Sequence, residues 1–366
     1  MGRATAQRTP FDGAFRAIAR AAFETVDGWE TASDFGDPVA EHRAVRDGCG
    51  VWDASPLRKW DVRGPGAAVA VERFFTNEMG TLQPGQLRYG AFCDDDGMML
   101  GDGIAFRFAE QEFGLVTRLE TDGEAFAEAA GDAEYELRDV TADSPHLQLQ
   151  GPDSRAVLET LARSDLSGLR YYRFLPEAVL VGGVPVSIAR CGYTGELGYE
   201  LYTEPAHAER LLDAIIATRR VRPYGVRAME TLRREAGLIL VGIDFQPGDG
   251  DPFELGLDRV VRLAKPAFRG RDALLQRSAR GLVRRLASLV MNGDDPPAPG
   301  AEVRASGRAV GEVRSAGPAP TVGPPVALAV LEVAEIEAGR PVEIDGLGAR
   351  VTTHPAYDPE KLRPRS

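Results

Sequence analysis

Cys191-Gly192-Tyr193-Thr194-Gly195-Glu196-Leu197-Gly198-Tyr199-Glu200-Leu201-Tyr202 is the stretch on which the reading of this chain turns. Its three glycines make a tight turn that runs into a strand. Along that strand Tyr199 and Leu201 share one face, and Glu200 and Tyr202 share the other. Glu200 therefore lies beside aromatic surface. It is either a solvated carboxylate on a half-exposed strand or a carboxylate turned into a cleft. In a cleft it could accept two hydrogen bonds from a planar N–H/NH2 edge, as a carboxylate does from a guanidinium.

Downstream, Val226 to Leu238 has a helical apolar stripe of Val226, Met229, Leu232 and Ala236. Arg233 lies on that stripe and must meet an anion, because an unpaired buried charge is very costly. The partner is either an internal acid or a ligand. Arg234 falls in i,i+4 register with Glu230 and is expected to form a surface pair with it. Upstream, Arg88-Tyr89-Gly90 precedes the hairpin turn Asp94-Asp95-Asp96-Gly97 and then Gly101-Asp102-Gly103. Asp102, between two glycines at an expected strand end, is a candidate acid/base or electrostatic residue; the alternative is a turn aspartate.

Around these stretches, short strands and helices alternate in α+β order, without the regular β-α-β repeat of a doubly wound sheet. Phe11 to Phe23 reads as a helix, followed by an irregular stretch through Trp29 and Asp34-Phe35-Gly36-Asp37-Pro38. Gly182-Gly183 marks a hairpin. Past residue 280 prolines and glycines become dense and short strands recur, which predicts a small all-β barrel or sandwich. The expected domains are 1–280, with two α+β subdomains, and 281–366.

The chain has 366 residues and a formal charge of −12, which disfavours broad nucleic-acid binding. No apolar run is long enough to span a membrane. Met1-Gly2-Arg3-Ala4-Thr5 has no apolar leader, and Ala6 stands where acylation of Gly2 would want Ser or Thr. Three scattered cysteines make no disulfide framework, so a reducing cytoplasm is the expected compartment. The four histidines show no metal spacing, and no metal is expected. Only Lys59, Lys265 and Lys361 are lysines; every other basic residue is arginine.

Cys191 to Tyr202, followed by Leu232-Arg233-Arg234-Glu235-Ala236-Gly237-Leu238, resembles the aminomethyltransferase family: the T-protein of glycine cleavage and its relatives. Glu41-His42-Arg43-Ala44-Val45-Arg46, Trp52-Asp53-Ala54-Ser55, Thr76-Asn77, Phe268 to Leu274, Pro320 to Ala329 and His354-Pro355-Ala356-Tyr357 agree in order along nearly the whole chain. The resemblance implies a three-domain cloverleaf around a central channel for tetrahydrofolate, with a C-terminal barrel. It implies that Glu200 grips the pterin edge, with Glu196 as second candidate. Arg233 would anchor the cofactor, Tyr89 and Thr117 would line its site, and Tyr357 would contribute from the C-terminal part.

The T-protein has paired aspartates where this chain has Gly101-Asp102, and the first is tied to aminomethyl transfer. Asp102 is then the candidate catalytic residue. The neighbouring residues are more similar to the folate domains of sarcosine- and dimethylglycine-oxidising enzymes, and the family's stand-alone demethylases also lack that acid. The resemblance thus implies a tetrahydrofolate-dependent transferase that takes a methyl or methylene group from a small methylated donor. Its alternatives are a true T-protein aminomethyltransferase and a folate-binding protein without transfer activity. The protein partner it implies is a flavoprotein or a lipoyl carrier protein.

Overall fold

The computed structural model describes residues 6–366. Residues 1–5, on which the leader and acylation readings fall, lie outside the described residues. The chain forms two compact units. The first gathers the described part of Met1–Leu57 with Val140–Arg233 and Glu360–Ser366; the second is Arg58–Asp139 with Arg234–Pro359.

The first unit is built on a six-stranded sheet. Its order is Phe174–Val181, Val184–Ala189, Gly198–Tyr202, His146–Gln150, Gly50–Asp53 and Arg222–Pro223. The strand after the glycine turn is therefore central. It pairs antiparallel with His146–Gln150, placing Gln148 opposite Glu200. Leu147, Leu149, Tyr199 and Leu201 point to one face and pack under the helices Ser154–Ala162 and Ala208–Ala217 through Val157, Leu158, Leu211, Leu212 and Ile215. Burying each such side chain contributes about 1.5–3 kcal/mol. The opposite face carries His146, Gln148, Gln150 and Glu200, and these are buried as well. A polar face buried on a central sheet is the feature that a simple two-sided sheet pattern does not predict.

The Gly182-Gly183 hairpin forms as read, with Val181 opposite Val184. The expected helix Phe11 to Phe23 does not. Only Asp12–Arg16 is helical, and Ala22–Val26 forms a strand paired with Trp29–Asp34, where an irregular stretch was expected. The cause is local. Arg20 adopts a left-handed φ of 66° in the turn that leads into the first strand of the pair, and Asp27-Gly28 makes a two-residue turn with φ of 48° and 81°.

In the second unit a five-stranded antiparallel sheet runs Gln86–Cys93, Met99–Ala109, Glu112–Thr117, Arg58–Arg63, Glu136–Asp139. Helices Ala67–Phe74 and Asp122–Ala130 cover it through Phe74, Phe126 and Ala130. Lys265 finishes the first of these helices: its buried ammonium donates to the backbone carbonyls of Glu72, Phe75 and Asn77, each at 2.7 Å. The all-β part is a closed six-stranded barrel that begins at Arg284. Ala287, Leu289, Ala327, Ala329 and Leu331 fill its interior. The alternating Leu286, Leu328 and Val330 pack outward on Ala91, Met99 and Phe245. Among the described residues no helix is long and apolar enough to cross a membrane.

Candidate functional site

In the first unit Glu200 is buried, so the solvated reading gives way. Its Oε1 accepts from Gln148 Nε2 at 3.0 Å, and its Oε2 accepts from the Tyr202 hydroxyl at 2.6 Å. Tyr202 in turn stacks on His146, with ring centroids 4.6 Å apart. Burial pushes the Cys191 thiol well up, and the Glu200 charge and its hydrogen bond add to this, so Cys191 stays a neutral donor to the carboxylate. Burial first and Glu200 second likewise keep Tyr202 protonated. Beside this set Gln148 Oε1 is buried with no hydrogen-bond partner. A buried acceptor left over next to a carboxylate fits a ligand that presents donors.

The glycines of the turn have a packing reason. A Cβ at Gly192 or Gly198 would come within 2.0 or 2.2 Å of the Gln150 amide. Gln150 fills the turn, accepting from the Thr194 hydroxyl at 3.0 Å. Glu196 is held differently from Glu200. Its Oε1 pairs with Arg46 at 3.1 Å and its Oε2 with Arg363 at 3.5 Å. Arg46 also donates to the carbonyls of Thr194 and Leu232. It ties the glycine turn to the helix Val226–Glu235.

Arg233 is fully buried, and its Nε and NH2 donate to Glu230 Oε2 at 3.1 and 2.7 Å. The internal acid is therefore one of its partners. The expected surface placement of Arg234 is not met. Glu230 is engaged by Arg233 at i,i+3, while Arg234 is buried close to Gly317, where an added Cβ would come within 2.7 Å of its guanidinium.

In the second unit Asp102 lies inside the long strand Met99–Ala109, not in a turn or at a strand end. Ala91 is its register partner, so Tyr89 projects on the same face, and the Tyr89 hydroxyl donates to Asp102 Oδ2 at 2.9 Å. Burial pushes the Asp102 carboxyl up to about 6; the Tyr89 hydrogen bond opposes this, and Asp122 adds to it. The flanking glycines let the strand run through a crowded place. A Cβ on Gly103 would lie 2.6 Å from the Val116 carbonyl, and one on Gly101 would lie 2.5 Å from the Phe92 ring. Thr117 is buried, and its hydroxyl accepts from Trp60 Nε1 at 3.0 Å and bonds Asp122. Asp122 is also pushed up to about 6, by burial. Tyr357 donates its backbone N–H to the Glu235 carbonyl at 2.9 Å.

The structure thus brings Tyr89 to Asp102. Thr117 bonds Trp60 and Asp122, Tyr357 the Glu235 carbonyl, Glu196 Arg46, and Arg233 Glu230. Sequence reasoning missed Gln148, Arg46 and Tyr172. Tyr172 holds a left-handed φ of 60°, and its phenol is pushed well up by burial, with Tyr171, Cys191 and Glu200 adding. The alternating His146 to Gln150 run was the available signal for Gln148.

Residues 15–265 match the GCVT N-terminal domain, and residues 284–358 match the glycine cleavage T-protein C-terminal barrel domain. An aminomethyltransferase of Streptomyces coelicolor is 36% identical over 363 residues, 96% of this chain and 95% of that protein. A trimethylamine-oxide aldolase of Ruegeria pomeroyi is 36% identical over 351 residues, 90% of this chain; the match spans 44% of that longer protein. The solved glycine cleavage system aminomethyltransferase T of Bartonella henselae superposes with a TM-score of 0.88 at 27% identity, covering 96% of this chain and 98% of that one. A mixed α/β body with a closed C-terminal barrel is thus the fold of an enzyme class, the tetrahydrofolate-dependent transferases. Within that class, this chain belongs to the glycine cleavage T-protein family.

Proposed function

We propose that this chain is a cytoplasmic one-carbon transferase of the demethylase kind, moving to tetrahydrofolate a methyl group from a small methylated donor, or a methylene unit where that donor is an N-oxide or has been oxidised by a flavin enzyme. The observation that carries this reading is Gly101. The position tied to aminomethyl transfer in the T-protein holds no acid here, and the Phe92 ring closes the space a side chain would need. The similarity to a trimethylamine-oxide aldolase over 90% of this chain supports a methylated amine as donor class.

Bound tetrahydrofolate supplies the nitrogen that accepts the one-carbon unit. Glu200 and Gln148 would hold its pterin edge, with the buried Gln148 Oε1 as an acceptor for the ring donors. Arg233, held by Glu230, would serve as an anchor for the cofactor, and Glu196 fixes the glycine turn through Arg46. Asp102 is mostly ionised above pH 6 and offers charge or proton uptake at the donor. Tyr89 fixes its Oδ2 and leaves Oδ1 to the substrate. Thr117 and Tyr357 act as positioning residues.

Aminomethyl transfer is the second reading, favoured by a 36% identical aminomethyltransferase that matches along its whole length. One assay tests both. Purified protein and tetrahydrofolate are offered methylated amines, methylated sulfur compounds and an aminomethyl-loaded lipoyl carrier, and methyl- and methylene-tetrahydrofolate are quantified. Turnover with a methylated donor and not with the carrier is the expected result, and the reverse overturns the proposal. Adding a flavin amine oxidase as the one-carbon source distinguishes a protein partner from a free donor.

A further inference from the structure

The run Arg219-Arg220-Val221-Arg222 leaves the helix Ala208–Ala217 and lands beside Gly50 in parallel register. Together with the helix Pro38–Asp47 it borders a surface concavity of about 560 Å3 that is open to solvent. Ala44, Cys49 and Val221 give that cavity apolar lining, and Arg43, Arg219, Arg220 and Arg222 give it four guanidiniums. Among the described residues none of the four makes an ion pair with a carboxylate. Two acids share the lining. Asp37 is engaged as helix cap, accepting from the Ala40 N–H at 2.9 Å, and Asp47 is exposed.

The local balance is therefore positive in a chain whose formal charge is −12. The end of the preceding helix favours nearby positive charge and accounts for Arg219 and Arg220. It does not account for Arg43, which projects from a different helix, or for Arg222, which lies on the sheet edge. Like charges gathered around a concave surface raise one another's energy until an anion joins them. The Arg220 charge reaches the buried Cys49 thiol at the inner end, where it opposes burial and Asp153. The volume falls in the range of small-molecule sites, about 300–1,000 Å3. Arginine forks match the paired oxygens of phosphate and carboxylate.

We propose that this cavity is a second ligand site, separate from the pterin-holding residues, for a small molecule with at least two adjacent anionic groups. Phosphate esters and clustered carboxylates share that chemistry. Calorimetry on the full chain at low salt, with tripolyphosphate and with citrate as probes, tests it. At least one probe is expected to bind one-to-one, and Arg43→Gln/Arg222→Gln should weaken it by about tenfold or more, the scale of a lost charged hydrogen bond. Asp47→Asn should tighten binding, a gain that a misfolded variant would not give. Binding of tripolyphosphate alone assigns a phosphorylated ligand; binding of citrate alone assigns a polycarboxylate. Absence of binding by both probes at millimolar concentration overturns the proposal. So does a loss in Arg280→Gln, a residue outside the lining, equal to that in the double variant.

Discussion

Replacing Asp102 by Asn removes one titrating charge and keeps the shape and the acceptor for the Tyr89 hydroxyl. Burial raises the carboxyl from 3.8 to about 6 in the folded chain. An acid whose folded pKa is raised binds its proton more tightly in the native state. It contributes stability that is fully present below the unfolded value near 3.8 and is lost as pH rises through about 6. A shift of about two units corresponds to at most about 3 kcal/mol. Asp102→Asn should therefore match the wild type at pH 4 and exceed it by about 2–3 kcal/mol at pH 8, measured by urea denaturation. Asp122 titrates in the same window and is coupled to Asp102, so the difference reads the loss of the Asp102 charge together with its effect on Asp122. The same variant should lose about 100-fold or more in single-turnover rate at saturating substrates. The wild-type rate should rise with pH through an apparent pKa near 6. Equal stability of the two proteins at pH 4 and pH 8, or a rate within about threefold, under about 1 kcal/mol, would refute this account of the acid.

Glu200→Gln should weaken tetrahydrofolate binding by about 2–3 kcal/mol in calorimetry, and Gln148→Met by about 1–2 kcal/mol, since each removes an acceptor beside the other. Gly101→Asp should cost about 1–3 kcal/mol or more in urea denaturation, because its Cβ meets a Phe92 ring stacked on Phe74 at 4.3 Å. Combining it with Phe92→Leu should cost less than the sum, and strict additivity would show that the ring is not the obstacle. Arg46→Ala should destabilise by about 3–5 kcal/mol by stranding the buried Glu196 carboxylate, while Arg363→Ala, on the half-exposed second partner, should cost less than about 1 kcal/mol.

The face-sharing of Glu200 and Tyr202 and the glycine hairpin at 182–183 were legible because period-two alternation and turn chemistry are local. The barrel was legible from strand spacing for the same reason. Burial of Glu200 was not, because it depends on what covers the second face of the sheet. The Arg233 partner was open between an internal acid and a ligand, and its i,i+3 pairing with Glu230 depends on which helix face the chain buries. Asp27-Gly28 was a readable turn signal, overridden by a short run of helix-spaced apolar residues. Gly101 and Gly103 read as turn residues. Their real constraint is the Phe92 ring and the Val116 carbonyl, whose approach no residue count reveals.

The sheltered ammonium of Lys265 has a practical side. Lys59 and Lys265 are both about 3% exposed, and Lys265 has its hydrogens committed to three carbonyls. Only Lys361, partly exposed in the C-terminal segment, remains as an accessible lysine amine. Amine-reactive dyes, cross-linkers and surface-coupling chemistry will therefore find essentially one lysine on the folded protein, and a label there will report on the C-terminal segment.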